Sequence, residues 1–230
     1  MTTYLLAHGS ADPRHAEDVR QIAERLGAVL GDVRPCYLDH CGPTLAEVAD
    51  VPGTVVPLLL SPGYHVQVDV ELAVGEATVP LTVAEPPLLT SGAAWGADLL
   101  DEARRAWPGH RIVMVGAGTR DAGVLRAWQE TSARLGVPVL QASGPGPRLD
   151  AQALAGQPVV LPLLVARGFF GDRIAADAAG LGLPVAEVAG SSEAFLAELV
   201  RLAGAPGAPG APGAPGAPGR HPARVIPAVI

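Results

Sequence analysis

Short apolar runs alternate along the chain with amphipathic stretches of helical period. Residues 3–7, 33–39, 54–60 and 81–84 read as strands, and a second series follows at 111–115, 137–141 and 158–165. Between the first strands, residues 14–30 carry Val19, Ile22, Ala23 and Leu26 at helical spacing. Residues 43–50, 66–75 and 92–107 read as further helices, with Thr44 and Glu47 near the start of the short one. In the second half, helices are expected up to about residue 135 and over 173–181 and 192–203, with a short strand near Val185. Strands alternating with helices imply parallel sheets joined by right-handed crossovers.

The pattern runs twice. Ala7-His8-Gly9-Ser10 matches Gly116-Ala117-Gly118-Thr119, and PLLLSPGYH over 57–65 matches PLLVARGFF over 162–170. His8 thus corresponds to Ala117, and His65 to Phe170. The expected fold class is α/β, with two duplicated flavodoxin-like domains, each a parallel sheet flanked by helices. The first, residues 1–108, carries the chemistry, and the second, 109–203, repeats the scaffold without its histidines. From 204 to 230 the chain is dominated by a Gly-Ala-Pro repeat. Pro removes backbone donors and Gly raises the cost of ordering, so a disordered tail with no packed element is expected.

In a flavodoxin-like order 2-1-3-4, strands one and three are neighbours. Their carboxyl ends flank the point where open α/β sheets bind ligands. His8 follows strand one and His65 follows strand three, so both imidazoles face one crevice. Gly9 and Gly63 let the backbone turn beside them. Asp39, at the end of strand two, serves equally well as a third ligand or as a helix cap. Two imidazoles and a carboxylate suit a first-row divalent ion with open positions, and neutral imidazole accepts a proton near neutral pH. His40 is expected to point away from Asp39 into solvent. His15 is expected to be solvated on the first helix, with His110 in a turn and His221 in the tail.

Composition narrows the classes. The net charge is −7 and all 16 basic residues are Arg, with no Lys. A P-loop lysine and a Schiff-base lysine are therefore excluded. No basic face is available for nucleic acid, and no apolar run is long enough to span a bilayer. No segment reads as a signal peptide, so a cytoplasmic protein is expected. Cys36 and Cys41 form neither a disulfide scaffold nor a four-cysteine zinc site; each reads as a small buried hydrophobe. Gly116-Ala117-Gly118-Thr119 lacks the third Gly of a dinucleotide fingerprint, which leaves a nucleotide-binding reading without support.

Three segments carry a family resemblance: LLAHGSADP over 5–13, CYLD over 36–39 with PTL over 43–45, and VPLLLSPGYHVQVD over 56–69. Together they resemble the sirohydrochlorin chelatases, the CbiX/SirB type of class II chelatases. GFFGDRI over 168–174 is similar to the long, two-domain members. The resemblance implies insertion of Fe²⁺ or Co²⁺, or Ni²⁺, into sirohydrochlorin without ATP, in sirohaem or cobalamin biosynthesis. It implies no cofactor beyond that substrate metal. His8 and His65 become the metal ligands and proton acceptors, and Ser10, Gly63 and Tyr64 border the substrate. Asp39 stands where the family commonly has Glu, Gly42 where it often has an acidic residue, and Ala11 where it often has Arg. Sirohydrochlorin carries eight carboxylates, for which Arg14, Arg120, Arg167 and Arg173 are candidate partners, since Arg forks match carboxylates; each serves equally as a surface charge. With both halves in one chain, a monomer is expected. The alternative is a metal-binding or delivery protein that never meets a tetrapyrrole.

Overall fold

A computed structural model describes residues 1–60, 68–88, 93–150 and 156–204, together with the backbone of 208–209. The first half runs β1 (Thr2–Ala7), α1 (Pro13–Leu30), β2 (Val33–Tyr37), α2 (Leu45–Val48), β3 (Gly53–Pro57), α3 (Val70–Gly75), β4 (Leu81–Val83) and α4 (Ala94–Ala106). The second runs β5 (Ile112–Gly116), α5 (Ala122–Leu135), β6 (Val139–Gln141), β7 (Val159–Leu163), α6 (Phe169–Gly180), a 3-10 turn at Ala189–Ser191 and α7 (Glu193–Gly204), and β8 (Ala208–Pro209) closes the series. Strands β1 to β4 are parallel in the order β2-β1-β3-β4, and β5 to β7 in the order β6-β5-β7. A bridge from Val160 to Val185 takes the place of a fourth strand in the second sheet.

The duplication extends to single hydrogen bonds. Asp12 caps α1 by accepting from the Arg14 N–H, and Asp121 caps α5 by accepting from Gly123 and Val124. Before each cap a hydroxyl two residues upstream accepts from the Asp backbone, Ser10 in one half and Thr119 in the other. After the second strand of each sheet the chain returns along the first: Asp39 N donates to His8 O, and Ser143 N donates to Ala117 O. The helix ends also agree, since α1 stops at Gly31 and α5 at the left-handed Gly136.

Alternation along the strands separates the cores. Leu5 and Ala7 of β1 face one side with Val56, while Tyr4 and Leu6 face the other with Val55, where α2 and α3 pack. The first side is continuous with the inner face of the second sheet. Leu26, Leu99, Met114, Trp128, Leu161, Phe195 and Leu199 belong to the same buried cluster, so helices α1, α4, α5 and α7 form an apolar layer common to both sheets. The outer face of the second sheet has its own cluster under α6, around Val113, Val160 and Ile174.

Several boundaries differ from the sequence-based expectation, and so does one packing relation. The third strand ends at Pro57, not at residue 60, which leaves Leu58, Leu59 and Leu60 beyond it. Helix α6 starts at Phe169, four residues earlier than expected, after Gly168 at φ 145°. Helix α7 follows the second half in the chain yet packs against α4, α1 and β3 of the first. Its apolar face, with Phe195 against Trp95 at 5.6 Å between ring centres, is buried there. A domain edge at residue 108 therefore divides the chain order but not the packing. The tail also departs once from the expectation of no packed element. The backbone of Ala208–Pro209 pairs antiparallel with Thr82 and Val83, covering that stretch of the outer edge of β4. Residues 210–230 lie outside the described residues.

Side-chain links tie the halves together. Asp18 of α1 is buried and accepts from the Arg167 backbone N–H at 2.7 Å and from its guanidinium at 2.5–3.0 Å. Burial pushes the Asp18 carboxyl up, but these Arg167 contacts outweigh it and hold it below its ordinary value. Arg14 bonds Asp12 and reaches across to Asp172, and Arg25 reaches Glu193 and the Ser191 carbonyl. Glu102 of α4 caps α7 by accepting from Ala194 N.

Arg167→Ala should lower the unfolding free energy by about 1–3 kcal/mol in a urea melt at pH 7, because it strands a buried carboxylate. Arg14→Ala, which breaks exposed pairs screened by solvent, should shift the same melt far less. A carboxyl lowered in the folded state stabilises fully above its unfolded value of about 3.9. The stability gap between wild type and Asp18→Asn should therefore persist at pH 6 and close as pH falls through the lowered value.

Candidate metal and substrate cleft

The carboxyl ends of both sheets open into one cleft of about 550 Å³. One wall is His8 to Ala11 after β1 and Leu58 to Leu60 after β3. The facing wall is Ala117 and Gly118 after β5 and the stretch from Leu163 to Gly171 after β7. The lining is mostly apolar, and Trp128 of α5 contributes to it. A Cβ on Gly116 would meet the tip of the Trp128 ring at 2.4 Å, so only Gly leaves room for that indole against the strand end.

The close approach beside His8 depends on Gly9. It has φ +93°, and a Cβ there would stand 1.8 Å from the Asp39 carbonyl oxygen. The same contact recurs in the other half, where Gly118 has φ +117° and a Cβ would stand 2.0 Å from Ser143 O. Both strand ends are thus clasped by the loop after the neighbouring strand. Only the first clasp carries imidazoles. His8 extends from the β1 end, and His40 extends from the loop over it, with ring centres 5.6 Å apart and planes at 87°.

The sequence-predicted residues fall into distinct groups. His8 and Ser10 line the cleft; the Ser10 hydroxyl also accepts from Asp12 N and holds the turn into α1. Gly63, Tyr64 and His65 lie outside the described residues. Asp39 is not on the cleft wall. Its carboxylate accepts from the His40 N–H at 2.7 Å and lies 3.8 Å from the His40 Nε2, so it supports that neighbour. Arg14 is turned to Asp12 and Asp172, and Arg167 lines the cleft with its guanidinium occupied by Asp18. Both arginines, expected as partners of substrate carboxylates, have protein carboxylates instead, because the halves must be tied together at the cleft. Arg120 is exposed two residues beyond Gly118. Arg173 is half-buried on α6, one turn on from Phe169, and its Nε has no partner among the described residues.

Two histidines enter the cleft against expectation. His40 adopts φ 64°, and that left-handed turn brings the ring to the cleft side when a continued strand would have carried it away. His15, on α1, is half-buried and lines the cleft near Tyr37, with ring centres 6.2 Å apart. Burial lowers its pKa against the opposing pull of Asp18 and Asp12. Its Nδ1 has no hydrogen-bond partner among the described residues. The helical period gave a hint of this, since His15 lies one turn before the buried Val19. Among the described residues, no three His, Cys, Asp or Glu side chains gather as a ready metal site. Cys36 is buried with its thiol pushed up to about 12 by desolvation, and Cys41 is half-buried; neither is in a disulfide.

The start of α6 adds an element that periodicity did not reveal. Phe169 and Phe170 line the cleft and pack edge to face at 5.3 Å, yet they are 68% and 37% exposed. Two such rings left open to water at a cleft mouth form a surface for an apolar or aromatic ligand.

The CbiX family model matches residues 2–135. No curated protein sequence matches the chain significantly. Among solved structures, SirB from Bacillus subtilis with Fe³⁺ superposes with a TM-score of 0.72 at 16% identity, over 88% of this chain and 94% of that one. The sirohydrochlorin chelatase SirB from Bacillus subtilis subspecies spizizenii, in complex with cobalt, gives 0.69 at 16% identity over the same shares. CbiX, described as the terminal enzyme of sirohaem biosynthesis in denitrifying bacteria, gives 0.62 at 16% identity, over 87% and 97%. At these identities the likeness is one of fold.

Gly9→Ala should destabilise the protein by roughly 2 kcal/mol or more, combining backbone strain with a clash against Asp39 O. A thermal melt reads the loss. Gly31→Ala also places Ala at positive φ, but with open space around it, and should cost less.

Proposed function

The chain belongs to the CbiX family, and from that premise we propose that it inserts a divalent metal ion into sirohydrochlorin, without ATP. The observation that carries this reading is His8 at the end of β1, facing a largely apolar cleft between two sheets. His65, which follows β3 in the sequence, is proposed as the second ligand of the substrate metal. The cleft volume of about 550 Å³ suits the body of a ligand held partly inside, with polar arms reaching solvent. The exposed pair Phe169–Phe170 supports a flat π-system as that ligand.

The chemistry required is limited. The macrocycle must lose two pyrrole protons as the cation enters, and the cation must be presented to one ring face. His8 presents the metal. His15, which lines the same cleft, is the proposed proton acceptor within the wall. Arg120 is available for a substrate carboxylate, because no described protein carboxylate engages it in an ion pair. One chain supplies both walls, so activity requires no second copy.

Fe²⁺ and Co²⁺ are the proposed metals, with Ni²⁺ as a further candidate, since imidazole suits all three. Metal delivery without insertion would leave the Phe pair unexplained, and this favours insertion.

Purified protein mixed anaerobically with sirohydrochlorin and Fe²⁺ or Co²⁺ should accelerate the absorbance change of metallation over the uncatalysed rate. His8→Ala should lower kcat/KM by about 100-fold or more. No acceleration by the wild type would overturn insertion. The double substitution Phe169→Ala with Phe170→Ala should raise KM for sirohydrochlorin roughly tenfold with kcat little changed. An unchanged KM would remove the stacking role.

A further inference from the structure

We propose that His40 is a ligand of the incoming cation beside His8, so that this chain receives its metal on imidazoles where Asp39 was the expected third donor. The proposal rests on the metal-insertion reading of the cleft and specifies the donor set at its entrance.

Three observations carry it. First, the His40 ring lines the cleft and the Asp39 carboxylate does not. Second, the His8 and His40 ring centres are 5.6 Å apart. Two imidazoles sharing one ion at about 2.0–2.1 Å per nitrogen place their ring centres roughly 5–6 Å apart when the angle at the ion is tetrahedral or trigonal. The pair therefore needs little movement to close on a cation. Third, His40 is held there at a conformational cost. A non-glycine residue at φ 64° is uncommon, and the turn is secured by Cys41 N donating to Asp39 O at 2.8 Å and His40 N donating to the Asp39 carboxylate at 2.7 Å.

Asp39 then has a supporting role. Its second carboxylate oxygen lies 3.8 Å from His40 Nε2, beyond hydrogen-bond length but close enough for a small rotation to make it the carboxylate behind a metal-bound histidine. Nδ1 is the ring nitrogen left for the ion. Imidazole in place of carboxylate shifts preference towards the later first-row ions, so Co²⁺ and Ni²⁺ should bind more tightly than Fe²⁺. The corresponding residue in the second half is Gly144, which shows that the fold does not need an imidazole at this turn.

The test is a Co²⁺ titration of the full chain without tetrapyrrole, read by visible d–d absorption. His40→Asn is the informative variant, since Asn tolerates a left-handed backbone and removes only the ring. Binding should weaken about tenfold or more and the d–d band should shift, as expected when a ligand is lost. Asp39→Asn should keep the wild-type band, whatever its effect on affinity. If a thermal melt shows His40→Asn to be unfolded, His40→Gly replaces it, because Gly accepts the positive φ freely. An unchanged band and affinity in the folded His40 variant would overturn the proposal. So would a changed band in Asp39→Asn alone, or a wild-type chain that binds no Co²⁺. The two readings fail separately. Weakened Co²⁺ binding in His40→Asn with no sirohydrochlorin turnover by the wild type would keep the ligand and remove insertion. Turnover by the wild type with unaltered Co²⁺ binding in His40→Asn would keep insertion and remove the ligand.

Discussion

The apolar layer between the two sheets determines everything that happens at the cleft. Helices α1, α4, α5 and α7 bury one face against both sheets at once, so neither half can move without opening a core that runs from Leu5 to Leu202. The carboxyl ends of β1 and β3 are thereby set opposite those of β5 and β7. The return of α7 across the first sheet matters most, because it makes the end of the chain part of the first half's core. Asp18–Arg167 adds direction at the cleft edge, with a buried carboxylate that only the Arg167 backbone and fork satisfy together.

Within that frame the two halves share geometry and divide the work. Gly9 and Gly118 make the same close approach to the loop after the neighbouring strand, and both strand ends lie on the cleft. At one end the adjoining positions are His8 and His40, and at the other Ala117 and Gly144. Small residues on the second wall leave room, and Phe169 and Phe170 supply flat apolar surface there. On the proposed reading one wall presents the cation and the other holds the planar partner. A duplicated scaffold permits this, because the backbone contacts that shape each strand end do not depend on the side chain they present.

The charges near the cleft follow a different logic. Arg167 lines the cleft, and it, Arg14 and Arg25 are each engaged by a carboxylate from the protein. Their first task is to join the halves. Arg120 is not drawn into this network.

The sequence by itself determined the α/β class, the strand order around β1 and β3, the duplication and the position of His8. All of these follow from local period and from glycines beside strand ends, which register within a few residues of chain. It also singled out His65, Gly63 and Tyr64, which lie outside the described residues. Only the tertiary structure decided which side chains share the cleft. His40 was read as pointing outward because a strand period was carried through a residue that in fact turns left-handed. His15 was read as solvated because its helix face is covered by the cleft, not by its own half alone. Arg14 and Arg167 were read as open to ligands because their partners Asp172 and Asp18 stand 158 and 149 residues away. The packing of α7 on the first sheet was equally hidden, since an amphipathic period reveals that a face is buried and not which sheet buries it.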